Sequence, residues 1–179
     1  MDFDILYAIQ HLRCDFLDQF ILILTKAAGD YGHVWLIVGA LLLPFRKTRK
    51  AGIAVLLSYA LVYVIGQFAL KDWIARPRPC HIDETVELLI KRPSSFSCPS
   101  THSAWAFAAA TAISMEHRKA GIALFTVAVL IAFSRLYLFV HFPTDVLFGA
   151  VLGAICGIAA VYLVRFVFRK LEARKTKKD

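Results

Sequence analysis

The sequence predicts an all-α, polytopic membrane helix bundle of about six transmembrane helices. Three observations carry that expectation. Hydrophobic residues make up 59% of the chain and mean hydropathy is +0.62, more apolar than a soluble core requires. The apolar residues come in long blocks instead of the alternation of a surface helix. Thirteen of the 21 Lys and Arg fall in clusters at 46–50, 118–119 and 165–178, flanking those blocks as cytoplasmic loops and tails do.

The 179 residues leave room for one domain, so 1–179 is read as a single integral membrane unit. A net charge of +8 could also suit nucleic acid. That function needs a basic stripe on a folded soluble face, whereas these cations punctuate apolar runs, so nucleic-acid binding is excluded. The chain opens with Asp2 and Asp4 where a cleavable signal peptide would carry a basic segment and an apolar run.

In chain order, Ile5, Ile9, Leu12 and Phe16 mark one helical stripe among charged residues, so 1–18 reads as an interfacial helix entering the membrane. Residues 16–28 and 34–45 read as two short membrane helices joined by a turn at Gly29-Asp-Tyr-Gly32, or as one long tilted helix. Ala51 to Leu70 is uncharged over twenty residues, the length a hydrocarbon core demands. Residues 71–100 form a polar loop with four of the six prolines. Helices follow over 101–115 and 120–140. The last runs from Asp145 to about Phe168, leaving 169–179 as a basic, frayed cytoplasmic tail. Gly149, Gly153 and Gly157 recur every fourth residue, which lets helices approach closely and predicts a packing face inside the bundle. Oligomeric state is left open.

Three polar stretches interrupt the apolar runs. Lys71 and Arg78-Pro79 are followed by Pro99-Ser100-Thr101-His102, then by Ser134-Arg135, His141 and Asp145. An arginine inside an apolar run needs a reason to be there. A phosphate headgroup supplies one for Lys71, Arg78 and Arg135 together, because guanidinium forks grip its oxygens and lysine adds a point charge. Arg76 is read as solvent-facing. Proline, serine and threonine suit a helix start, whose free N–H groups also form an anion site, so Ser100 and Thr101 are candidate phosphate ligands. A His141–Asp145 pair would orient an imidazole for attack on phosphorus, and His102 would protonate the departing oxygen. Loop and turn fall on the face opposite the basic clusters, the extracytoplasmic one. Cys80 and Cys98 abut the first two stretches and are read as either a disulfide or two free thiols.

The order Lys-x6-Arg-Pro, Pro-Ser-x-His, Ser-Arg-x5-His-x3-Asp resembles the signature of the type 2 phosphatidic acid phosphatase superfamily, which includes the vanadium haloperoxidases. The resemblance implies a haloperoxidase-like core and a metal-independent phosphatase without cofactor, working through a phosphohistidine. It implies His141 as nucleophile, Asp145 as its orienting partner and His102 as general acid. Lys71, Arg78, Ser100 and Arg135 would be phosphate ligands. Thr101 stands where the family places glycine, adding a hydroxyl beside the phosphate. The small size and outward site resemble bacterial undecaprenyl-diphosphate phosphatases, so the expected substrate is a lipid phosphate or diphosphate in the plasma membrane, undecaprenyl diphosphate first. Phosphatidylglycerophosphate and phosphatidic acid are the rivals, and a non-catalytic lipid-phosphate binder or flippase stands behind them. A vanadate haloperoxidase is disfavoured by membrane burial.

Overall fold

The computed structural model describes residues 2–29 and 32–175. Its centre is α7 (Thr101–Ser114), a 14-residue helix with eleven residues buried. Alanine dominates it because α9 (Pro143–Lys175) lies almost backbone to backbone against it. A Cβ on Gly149 would meet the Ser100 carbonyl oxygen, on Gly153 that of Ala104 and on Gly157 that of Ala108. The glycine row therefore packs inside the bundle, as its period predicts. The opposite side of α9 (Leu147, Val151, Ile155, Tyr162) is exposed and apolar, a face suited to lipid.

The expected count of six spanning helices is overturned. Among the described residues three segments are long and apolar enough to cross: Arg49–Ile82, α8 (Arg118–Tyr137) and the α9 segment Pro143–Arg174. A fourth arises if α2 (Asp15–Ala28) and α3 (His33–Leu42), bent by 56°, count as one broken span. Neither reaches the ~20 residues a hydrocarbon core requires, and nor does α7. Hydropathy alone reads apolar α7 as a span, whereas its apolarity serves burial among other helices. Gly29 and Gly32 both have positive φ, 73° and 65°, and Gly32 is left-handed, as a turn there demands. Asp30 and Tyr31 of that turn lie outside the described residues.

Other boundaries shift too. The N-terminal helix breaks in two: α1 (Asp2–Gln10) ends before α2 begins. Of the predicted stripe, Ile5, Leu12 and Phe16 are exposed, as an interfacial face would be, while Ile9 packs beside the fully buried Leu6. Leu6 packs in a cluster with Tyr137, Phe139 and Phe142, and Phe3 meets Phe142 edge-on at 5.2 Å, so α1 is docked on the turn after α8. The first clear span begins at α4 (Arg49–Val62) and continues through a π-helical segment, Tyr63–Leu70, into α5 (Lys71–Ile74). A further turn, α6 (Pro79–Ile82), sits in the expected loop. The last helix starts at Pro143 and runs to Lys175, so the part of the tail up to there is helical; 176–179 lie outside the described residues.

The ends of the bundle are distinct. Lys50 lies 3.9 Å from Glu172, and Arg165 donates to Glu116 at 2.9 Å, so the three basic clusters gather at one end. The starts of α7 and α9 and the end of the α4 run lie at the other. Replacing Gly153 by valine is expected to force α7 and α9 apart and cost about 1–3 kcal/mol. Thermal unfolding in detergent should show a lowered Tm, with less loss for Gly66→Ala, whose added methyl would meet the mobile end of Leu152 at 3.3 Å.

Candidate active site

Ala75 closes α5 in a left-handed conformation, φ 48°, and turns the chain sharply. Three residues on, Arg78 is extended at the mouth of α6, with Pro79 in the first turn. Its Nε donates to the Ser95 carbonyl at 2.6 Å, and Nη2 to Ser95 Oγ at 3.0 Å. Nη1 donates to the Val140 carbonyl at 2.8 Å and to His141 Nε2 at 3.1 Å. One Nη2 hydrogen is left without a partner among the described residues. Lys71 donates to Gln67 Oε1 at 3.0 Å and to Ser95 Oγ at 3.4 Å, so Ser95 joins the two cations.

His141 follows a second left-handed residue, Phe139 at φ 57°, which reverses the chain between α8 and α9. A guanidinium can only donate, so its contact assigns the lone pair to Nε2 and the proton to Nδ1. Asp145 is fully buried, yet its Oδ2 is 3.9 Å from Nδ1, too far for a direct hydrogen bond. Ser97 fills the gap. Its hydroxyl donates to Asp145 Oδ2 at 2.5 Å and lies 3.5 Å from Nδ1. The Phe142 N–H holds the same carboxylate oxygen at 2.9 Å. Burial, followed by the charges of Arg78, Lys71, His102 and Arg135, depresses the His141 pKa well below the usual 6.5.

The reading of Arg76 as solvent-facing is corrected. Its Nη1 donates to Asp145 Oδ1 at 2.6 Å and Thr144 Oγ1 at 2.7 Å, and Nη2 reaches Asp2 Oδ2 at 2.9 Å. The guanidinium also lies over the Phe142 ring, 4.1 Å from its centroid. The RPRP stretch offered no sign of which arginine would face the carboxylate.

At the start of α7, Ser100 occupies the cap position but its hydroxyl pairs with Ser103 Oγ at 2.9 Å instead of capping. Thr101 and His102 face a cavity of ≈ 510 Å³, which Lys71, Arg78, Arg135 and His141 also line. Ser100 and Asp145 do not line it; they sit behind it, fully buried. His102 Nε2 donates to the Gly29 carbonyl at 3.1 Å. Arg135 is held by Ser134 Oγ at 3.0 Å and Thr25 Oγ1 at 2.6 Å, leaving both Nη1 hydrogens without a described partner. Lys71, Arg78 and Arg135 are 4%, 4% and 3% exposed, and none is ion-paired with a described carboxylate. Charges buried that way are costly unless an anion joins them.

Sequence reasoning missed Ser95, Ser97, Arg76 and Lys26; Lys91 and Arg92, cations of the outer loop that offend the positive-inside trend, line the cavity with Lys26. A serine in a Ser-rich loop carries no spacing signal of its own. Cys80 and Cys98 are both free thiols, buried apart from any disulfide. Burial and the adjacent Asp145 push the Cys98 thiol up to about 11, so it stays protonated at neutral pH. Among the described residues no group of three or more His, Cys, Asp or Glu is placed to hold a metal ion.

Residues 51–169, which carry all three polar stretches, match the PAP2 superfamily. The chain belongs to the PAP2 superfamily, on its lipid-phosphatase branch. It is similar to the undecaprenyl-diphosphatase of Sulfolobus acidocaldarius, with 34% identity over 139 residues, 77% of this chain and 66% of that one. The fold is similar to the crystal structure of Aquifex aeolicus LpxE, with a TM-score of 0.73 and 33% identity, covering 90% of this chain and 94% of that one. It is also similar to a PAP2-type phosphatidylglycerolphosphate phosphatase from Bacillus subtilis, with a TM-score of 0.72 and 31% identity, over 94% and 85%. The protein is accordingly a membrane-associated PAP2-type phosphatase acting on lipid.

For His141 to attack phosphorus it has to be neutral, and a lowered pKa keeps it so as pH falls. The acid limb of the pH profile of kcat/KM for this PAP2 enzyme is therefore expected below pH 6.5. A limb at or above that value, measured on phosphate release, would contradict the electrostatic setting described.

Proposed function

We propose that the enzyme removes the terminal phosphate of a polyprenyl diphosphate, undecaprenyl diphosphate first, at the extracytoplasmic face of the plasma membrane. The observation that carries this reading is the set of three buried cations, none paired with a described carboxylate, that face two imidazoles in one cavity. The unpartnered hydrogens noted above, one on Arg78 and two on Arg135, with the Lys71 ammonium beside them, suit the oxygens of a tetrahedral anion.

The reaction runs in two displacements. His141 Nε2 attacks the terminal phosphorus, a P–N bond forms, and the P–O bond to the lipid phosphate breaks. Burial and then the charge of Arg135 lower the resting His102 pKa to about 3, so it takes up its proton as the anionic substrate binds and gives it to the departing oxygen. The positive charge gained by His141 is offset by Asp145, acting through Ser97. Water then attacks the phosphohistidine and yields its proton to neutral His102. The P–N bond breaks, inorganic phosphate leaves, and both imidazoles are restored. Nε2 first has to exchange its bond to Arg78 for one to phosphorus, which an anion drawing the guanidinium toward itself promotes. No metal takes part in this scheme.

A diphosphate is favoured by the outer cavity wall, where Lys26, Lys91 and Arg92 (the last paired with Glu84 at 3.1 Å) add cations and no described lining residue is a carboxylate. The undecaprenyl-diphosphatase relative points the same way. The Bacillus subtilis likeness keeps a phosphatidylglycerophosphate substrate as the second reading. The orientation rests on the basic clusters at the far end of the bundle, which the positive-inside trend assigns to the cytoplasm.

His141→Ala is expected to abolish phosphate release from lipid substrates, and Asp145→Asn to slow it about 10²–10⁴-fold. Wild-type turnover by His141→Ala would remove the nucleophile assignment. Chelators should leave turnover unchanged, and inhibition reversed by Mg²⁺ would count against the scheme. With purified enzyme in detergent, kcat/KM should be higher for undecaprenyl diphosphate than for phosphatidylglycerophosphate. Neutralising Lys91 and Arg92 together should narrow that ratio, and the reverse preference would favour the second reading.

A further inference from the structure

Asp145 is gripped from two sides. Ser97 and the Phe142 N–H hold Oδ2, the oxygen turned toward His141. On the far side Arg76 holds Oδ1, and the same guanidinium bonds Asp2 in the first turn of α1. Thr144 closes the ring, accepting from Arg76 at 2.7 Å and donating to Asp2 at 2.9 Å. The arginine is braced by Phe142, whose ring Phe3 of α1 meets edge-on. Apart from Asp145, the members of this ring fall at positions that the Lys-x6-Arg-Pro, Pro-Ser-x-His and Ser-Arg-x5-His-x3-Asp pattern leaves unspecified.

We propose that Arg76, anchored by Asp2, is a positioning residue for His141. It fixes the rotation of the Asp145 carboxylate so that Oδ2 stays on Ser97, and it makes α1 part of the active-site assembly. The idea rests on His141 as the reacting group. A carboxylate held only at Oδ2 could rotate about its Cβ–Cγ bond and lose the geometry of the Asp145–Ser97–His141 chain. Binding at both oxygens removes that freedom, as carboxylates do when they orient metal-bound histidines. Arg76 also adds a positive charge that moderates the pull of Asp145 on the imidazole.

The charges around the pair give the sign of the effect. His141 faces Arg78 and Lys71 from the α4 run and the loop after it, His102 from α7 and Arg135 from α8. Asp145 faces Arg76 and Cys98. Only Asp145 is negative among these, and Asp2 lies behind Arg76. Removing the Arg76 charge leaves Asp145 stronger toward His141, so His141 retains its proton to higher pH.

The test uses the full chain in detergent, with farnesyl diphosphate as the soluble-tailed probe. Arg76→Gln is expected to lower kcat about 10–100-fold with KM nearly unchanged, by analogy with other orienting partners. It should also move the acid limb of the kcat profile upward. Arg76→Lys should recover part of the rate and most of the pH profile, because it keeps the charge and loses the fork. Asp2→Asn should fall between wild type and Arg76→Gln. A ¹⁵N-NMR titration of His141 in wild type and Arg76→Gln reads the same upward displacement without any turnover. The idea is overturned if Arg76→Gln or, should that variant not fold, Asp2→Asn keeps the wild-type kcat and an unmoved His141 titration. It is also overturned if the variants lose only Tm or raise only KM. Failure of the phosphohistidine scheme is separate: it would appear as turnover by His141→Ala.

Discussion

Three cations are buried around one imidazole with no carboxylate among the described residues to neutralise them, and the rest of the molecule is arranged to tolerate that. Lys71, Arg78 and Arg135 come from three different helix ends, yet each is held by neutral oxygens: Gln67, Ser95, Ser134, Thr25 and backbone carbonyls. Neutral acceptors satisfy N–H groups without cancelling charge. A carboxylate in any of those places would have stabilised the resting protein and competed with an incoming phosphate. The acid among the described residues here, Asp145, is turned away from the cavity and committed to Ser97, Arg76 and a backbone N–H. The separation of acceptor types keeps the cavity cationic while leaving His141 a counter-charge.

Such an arrangement needs rigid walls, because like charges push apart. The glycine row of α9 supplies part of that rigidity. By letting the backbones of α7 and α9 nearly touch, it fixes His102 at the start of one helix relative to Asp145 at the start of the other. A direct bond across the seam, from the Ser100 N–H to the Asp145 carbonyl at 3.1 Å, ties the two starts together. α1 closes the same end from outside, with Leu6 buried against the turn that carries His141.

Much of this was legible in the sequence, and the limits follow from what a sequence records. The three polar stretches announced themselves because charge is costly in apolar segments, and six of the eight site candidates do line one cavity. The glycine row was legible because its period is local. The span count was not, since hydropathy measures apolar length and cannot tell lipid from neighbouring helices; α7 is apolar for the second reason. Arg76 and Arg78 were indistinguishable as residue types, and only the left-handed turn at Ala75 decides which faces the carboxylate and which the imidazole. Ser95 and Ser97 were invisible because a hydroxyl's role depends on where a loop folds back. The buried register of α1 was caught only at Ile9 because both its faces are apolar, and the packed one, Phe3, Leu6 and Ile9, is set by the turn it meets.

Ser97 changes what Asp145 is able to do. A carboxylate bonded directly to an imidazole stabilises its protonated form strongly, and that would hinder His141 in its proposed role as nucleophile, which must begin neutral amid four cationic or basic neighbours. A hydroxyl between them keeps the orientation and weakens the Coulombic pull through distance. Arg76 on the other oxygen weakens it again. The resting imidazole is thereby left neutral, with its Nε2 lone pair on Arg78 and its proton on Nδ1. When positive charge develops on the ring, the carboxylate is already aligned and the hydroxyl need only shorten its contact. Holding back the counter-charge in the ground state and offering it as charge appears is the condition for favouring the transition state over the bound substrate.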